Sequence, residues 1–213
     1  MKVLSVGVAR AFWVFDTSEI NPGGKDVFAH LFPSFLEDYK FKKYPQSGDD
    51  FSQGMRFTNG EYVKDDGTVL VVNATVFSDG IATETYSSTR DAEELLETIL
   101  KDLPDLGFTW EPEMVRRKIY VSQLNVKCKG NLGSLNPGLH LIAEELSAAH
   151  GTTFDLAAIE LWPDQTKIVK PVNFSFQRKV GEPLDSGRYW SQAPLPTDKH
   201  IELLERLEAL ISA

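Results

Sequence analysis

RFTNGEYVKDDGTVLVVNATVFSDGIATETY, residues 56–86, places three turn dipeptides, Asn59-Gly60, Asp66-Gly67 and Asp79-Gly80, between runs rich in Val, Thr, Tyr and Phe. Asn, Asp and Gly accept the positive φ that tight hairpin turns require, so each dipeptide predicts a reversal of an extended chain. The stretch therefore predicts a four-strand antiparallel meander. Along residues 69–77, alternation puts Leu70, Val72, Ala74 and Val76 on one wholly apolar face, the face expected to meet a core.

Working outward, Ser87-Ser88-Thr89 supplies hydroxyls that cap free helix amides, and a helix is predicted to begin near Thr89. Ala92, Leu95, Leu96, Ile99, Leu100 and Leu103 recur at three- and four-residue spacing and face inward, leaving Glu93, Glu94, Glu97 and Lys101 for water. The C-terminal stretch repeats the plan. Residues 172–178 alternate, a Gly-containing break covers 181–187, Arg188-Tyr189-Trp190 follows, and Ala193–Pro196 reads as an extended connector. Thr197 is then expected to cap a final helix with Ile201, Leu204, Leu207 and Ile211 inward. Thr89 and Thr197 lie 108 residues apart, and the same offset superposes Glu94-Leu95-Leu96-Glu97 on Glu202-Leu203-Leu204-Glu205. A duplicated strand-strand-helix unit and two unrelated acidic helices both fit that match.

Between these halves, 117–127 reads as a strand, 130–138 as a loop, 137–149 as a helix with Leu139, Ile142, Ala143 and Leu146 inward, and 154–162 as a strand. Residues 27–39 look helical, with Pro33 either in a first turn or breaking the segment in two. The expected architecture is α+β: a mainly antiparallel sheet with three to four amphipathic helices on one face. It is expected to form one domain of two similar lobes meeting near 130–138.

Composition bounds the function. A chain of 213 residues that is 42% hydrophobic and 25% charged matches ordinary globular usage. No apolar run reaches the roughly 18–20 residues of a membrane span. The N-terminal stretch superficially resembles a signal peptide, but Arg10 interrupts it and Phe12-Trp13-Val14-Phe15 reads as strand. A single cysteine, Cys128, forms no internal disulfide, so the cytoplasm is the expected compartment. Net charge −9 argues against non-specific nucleic-acid binding, and nucleic acid is expected to be an unlikely partner despite basic clusters at Lys40, Lys42 and Lys43 and at Arg116, Arg117, Lys118, Lys127 and Lys129. Those cations are expected to pair with the chain's own acidic helices or another subunit.

No catalytic motif, metal-ligand cluster or phosphate loop stands out, and no cofactor is implied. The histidines His30, His140, His150 and His200 have no metal-binding spacing among themselves. His140 and Glu144 share a helix face, suited to a solvated pair or, as the alternative, a ligand or proton-exchange pair. Cys128 alternates with Lys127 and Lys129 and is expected to be a half-buried, inert thiol. The glycine-rich segments 21–24 and 130–134 lack the Lys-Ser/Thr of a phosphate loop. Arg178, Arg188, Tyr189 and Trp190 fall on neighbouring strands and form a candidate interface patch, since Arg, Tyr and Trp dominate interface hot spots. Two functions compete: a non-catalytic interaction or assembly protein, self-associating or bound to a protein partner; and an enzyme or small-ligand binder with a dispersed site drawn from His140, Glu144, Arg178 and Arg188.

Overall fold

The computed structural model describes residues 1–45, 54–167 and 171–212. The fold is α+β with antiparallel strand pairing, and the chain divides into two compact units. One is Val8–Val121; the other combines Met1–Gly7 with Ser122–Ala213. Strands β1 (Lys2–Val14) and β5 (Arg117–Lys127) contribute residues to both.

In the first unit, β2 (Met55–Val63), β3 (Val69–Phe77), β4 (Gly80–Thr85) and β1 lie in the order β2-β3-β4-β1. Two of the three turn dipeptides behave as their chemistry dictates. Gly67, at φ 81, closes the β2–β3 hairpin while Asp66 accepts from the Thr68 amide at 2.9 Å. Gly80 opens β4 so close to β1 that a Cβ there would stand 2.2 Å from the Trp13 carbonyl oxygen. Asn59-Gly60 does not turn. Asn59 takes φ 57 as a bulge within β2, its amide donates to Asn73 Oδ1 at 2.9 Å, and Gly60 lies under the Phe41 ring. The segment at Lys43 pairs with Thr58 on the outer side, so the strand carries on where an isolated sequence would reverse. The meander is three strands, and β1 is the fourth.

Val72, Ala74 and Val76 of β3 are buried, as the alternation predicts, against α2 (Val27–Tyr39) and α3 (Thr89–Asp102). Rings of Phe35, Tyr39, Phe41 and Phe57 fill this core with centroids 5.0–6.1 Å apart. Pro33 sits inside α2, neither in its first turn nor at a break. Ser88, not Thr89, caps α3, accepting from the Asp91 amide at 3.1 Å. The acidic residues of α3 do not all face water: Glu93 receives Lys118 at 2.7 Å and Tyr120 at 3.0 Å, and Lys64 bridges Asp91 and Glu94. A four-residue helix α1 (Thr17–Ile20) seats Ile20 in the same core.

In the second unit, β5, β8 (Arg188–Ala193), β7 (Phe174–Arg178) and β6 (Ala158–Leu161) lie in the order β5-β8-β7-β6. Leu124, Val126, Phe176 and Tyr189 pack with Leu204 and Ile211 of α5 (Thr197–Ile211). Pro196, not Thr197, occupies the cap position of α5, and Thr197 is buried. The offset of 108 extends into structure, since β4 maps onto β8 and the start of α3 onto the start of α5. Thr83 facing Ala92 in one unit corresponds to Ser191 facing His200 in the other. Residues 130–138 hold a single 3-10 turn, Leu132–Leu135, then Asn136, whose side chain caps α4 (Pro137–His150).

Among the five α-helices of the described residues, α4 departs furthest from expectation. Of its predicted inward residues only Ala143 is buried, while Leu139, Ile142 and Leu146 remain on the surface with Leu141. No helix among the described residues is long and apolar enough to cross a membrane.

Candidate functional site

Strand register sorts the aromatic and basic residues of the last hairpin. Arg178 stands opposite Tyr189, and Gln177 opposite Trp190. Opposed residues share a face of an antiparallel pair and neighbours alternate, so Arg178 and Tyr189 lie on the face that meets α5, while Arg188 and Trp190 lie on the other. Tyr189 is buried, stacks on Phe176 at 4.4 Å and lies under the Arg178 guanidinium at 5.5 Å. Arg188 is exposed and pairs with Glu182 at 2.9 Å. The four residues thus divide two and two.

Arg178 is the centre of the second unit's polar architecture. Its Nε donates to the Leu156 carbonyl at 2.9 Å, one Nη to Asn131 Oδ1 at 2.8 Å and Asp155 Oδ2 at 2.6 Å, and the other Nη to the Leu184 carbonyl. One guanidinium therefore ties together three loops that are distant in sequence. Both members of the Arg178–Asp155 pair are about nine-tenths covered, so each charge depends on the other for compensation. Asn131 also accepts from the Gly133 amide at 2.9 Å, which fixes the start of the 3-10 turn.

Two hollows share Asn131. The larger, about 420 Å³, is lined by Lys127, Lys129, Arg178, Asp185, Ser186 and the backbone at Gly187, among others. The smaller, about 280 Å³, is bordered by Gly133, Ser134 and His140. His140 Nε2 lies 3.5 Å from Glu144 with both side chains more than half exposed, a solvated pair at that hollow's rim. Among the residues singled out from sequence, Arg178, Tyr189 and His140 therefore gather around Asn131, and Arg188 and Trp190 do not. Asn131 and Asp155 carry no sequence signal of their own; only the Arg178 hydrogen bonds reveal them.

Cys128 is buried with Lys127 and Lys129 pointing outward, and burial pushes its thiol up to about 11, with a further contribution from Glu208. It is an unreactive core thiol. Burial also raises the Tyr189 hydroxyl, against a smaller opposing effect of Arg178.

His200, a histidine without metal-binding spacing in the sequence, is fully buried on α5. Its Nε2 is 2.9 Å from Ser191 Oγ, and Ser191 donates its own proton to the Ser175 carbonyl at 2.8 Å. That network assigns the imidazole proton to Nε2 and leaves Nδ1 a bare acceptor. Neither Nδ1 nor the Ser122 hydroxyl has a hydrogen-bond partner among the described residues. Burial pushes the imidazole down to about 4, opposed weakly by the Ser122 backbone. The ring is neutral at pH 7, held among apolar side chains such as Phe174.

No family model and no curated protein matches the chain. Among solved structures, Methanococcus jannaschii TBP is similar over 99% of this chain and 96% of that one, at 13% identity and a TM-score of 0.43. That neighbour stands against the expectation that nucleic acid is an unlikely partner. The expectation rested on net charge, which averages over the chain and is silent about how cations are distributed on one surface. It is withdrawn.

Proposed function

We propose that the protein is a non-catalytic assembly protein that self-associates through α4, in the reducing cytoplasm that suits its lone buried thiol. The observation that carries this reading is the exposure of α4, where Leu139, Leu141, Ile142 and Leu146 are 40–60% exposed and only Ala143 is buried. Short helices depend on packing of an apolar face, and α4 has little packing of its own.

A second copy is the partner the sequence of α4 favours. Leu139, Ile142 and Leu146 recur at i, i+3 and i+7, one stripe of the helix. An antiparallel crossing about a two-fold axis between Ile142 and Ala143 sets Leu139 of one copy against Leu146 of the other. That match is reciprocal, as a two-fold contact requires. Each half-exposed side chain contributes about 1 kcal/mol on burial, so the three stripe residues of each copy contribute about 6 kcal/mol in total. Association costs roughly 4 kcal/mol or more, so the dimer is weak, with a Kd in the millimolar range or above.

Sedimentation velocity over a concentration series tests this reading. The wild-type chain should show reversible dimerisation, and Ile142→Asp should abolish it with the fold unchanged. Each chain carries −9, so raising salt from about 50 to about 500 mM should strengthen association by screening repulsion. A chain monomeric at every concentration and salt would contradict it.

A further inference from the structure

We propose that the 420 Å³ cleft at Arg178 is a binding site for a small oxyanion, a phosphate or carboxylate. Its volume lies in the range of small-molecule sites, and its walls are fixed before any ligand arrives. Arg178 holds one wall through the Leu184 carbonyl and the opposite wall through Asn131. The Cys128 amide donates to the Gly187 carbonyl at 2.9 Å across the floor, and Gly187 is at φ 63, where a Cβ would strike the Cys128 carbonyl oxygen at 2.4 Å.

The charge in the cleft is unbalanced. Lys127, Lys129 and Arg178 line it, with Asp185 the acidic side chain of the lining. Asp155 neutralises Arg178 from outside that lining. Glu208, the carboxylate nearest Lys129 in the hydrogen-bond network, is occupied by the Met1 amino group and the Lys129 backbone amide. The ammonium groups of Lys127 and Lys129 have no hydrogen-bonded acceptor among the described residues, and four of the five guanidinium N–H groups of Arg178 are used. Elsewhere in this acidic chain Lys64, Lys118 and Lys199 each sit on a carboxylate. Two unpaired lysines in the lining of a preformed cleft, with a donor left on the arginine that shares it, suit an incoming oxyanion. Charge-assisted bonds to the two ammoniums would supply the affinity.

The full-length chain, labelled with 15N, is titrated separately with inorganic phosphate and with citrate. Saturable shifts concentrated at the amides of Gly130, Asn131 and Gly187 are expected with one or both anions, and which of them binds identifies the phosphoryl or carboxylate source. Lys127→Gln with Lys129→Gln, both exposed positions, should weaken binding by roughly tenfold or more while leaving the spectrum folded. Lys42→Gln with Lys43→Gln should leave it unchanged. Absence of saturable shifts with both anions, or affinity indifferent to the Lys127 and Lys129 changes, overturns the proposal.

Discussion

Acidifying the protein from pH 7 to pH 4 should destabilise the unit that carries His200 by about 3 kcal/mol through that residue alone. The imidazole sits at about 4 in the folded chain and at 6.5 when exposed, because its charged form is stripped of water under α5. Between those values the unfolded chain binds more protons than the folded one. The stability is therefore complete above about 6.5 and is lost progressively as pH falls towards 4. The comparison is His200→Gln, which keeps a polar group within reach of Ser191 but does not titrate. Urea unfolding is followed at several pH values through the NMR peak intensities of the β8 amides, which report this unit specifically. Carboxylates titrate equally in both proteins, so the difference between the two pH slopes isolates His200. Equal slopes, or a His200 ring that titrates near 6.5 in the folded protein, would refute the reasoning.

Other perturbations follow from the same packing. Arg178→Met should destabilise the second unit by about 3–5 kcal/mol in urea unfolding, because Asp155 is left charged and covered without its partner. Arg178→Met with Asp155→Leu should recover much of that loss. Pro33→Ala should raise the stability of the first unit by about 1–3 kcal/mol, since Pro33 is exposed and removes a hydrogen bond from the interior of α2. Gly60→Ala should lower the melting temperature of that unit, because its Cβ would meet the Phe41 ring at 2.5 Å and the Tyr39 carbonyl at 2.9 Å.

Much of this fold was legible in periodicity and caps. The core face of β3, the inward residues of α3 and the bounds of β5 follow from spacing that one element imposes on its own residues. Where reading failed, a distant segment decided. Asn59-Gly60 has the chemistry of a turn, but Asn73, Phe41 and the Lys43 segment hold it as a bulge. The amphipathic pattern of α4 names a face that wants burial and does not say that its own unit leaves it uncovered. The candidate site was half visible. Arg178 and Tyr189 stand out as residue types, whereas Asp155, Asn131 and the burial of His200 depend on three-dimensional neighbours.

Self-association depends on the uncovered face of α4. An equimolar mixture of 13C-labelled and unlabelled chains, examined by isotope-filtered NOE at millimolar concentration, tests it directly. Cross-peaks between labelled Leu139 or Ile142 methyls and unlabelled Leu146 methyls are predicted, absent in Ile142→Asp. A mixture without intermolecular contacts at α4, or with contacts only elsewhere on the surface, would contradict the assembly described.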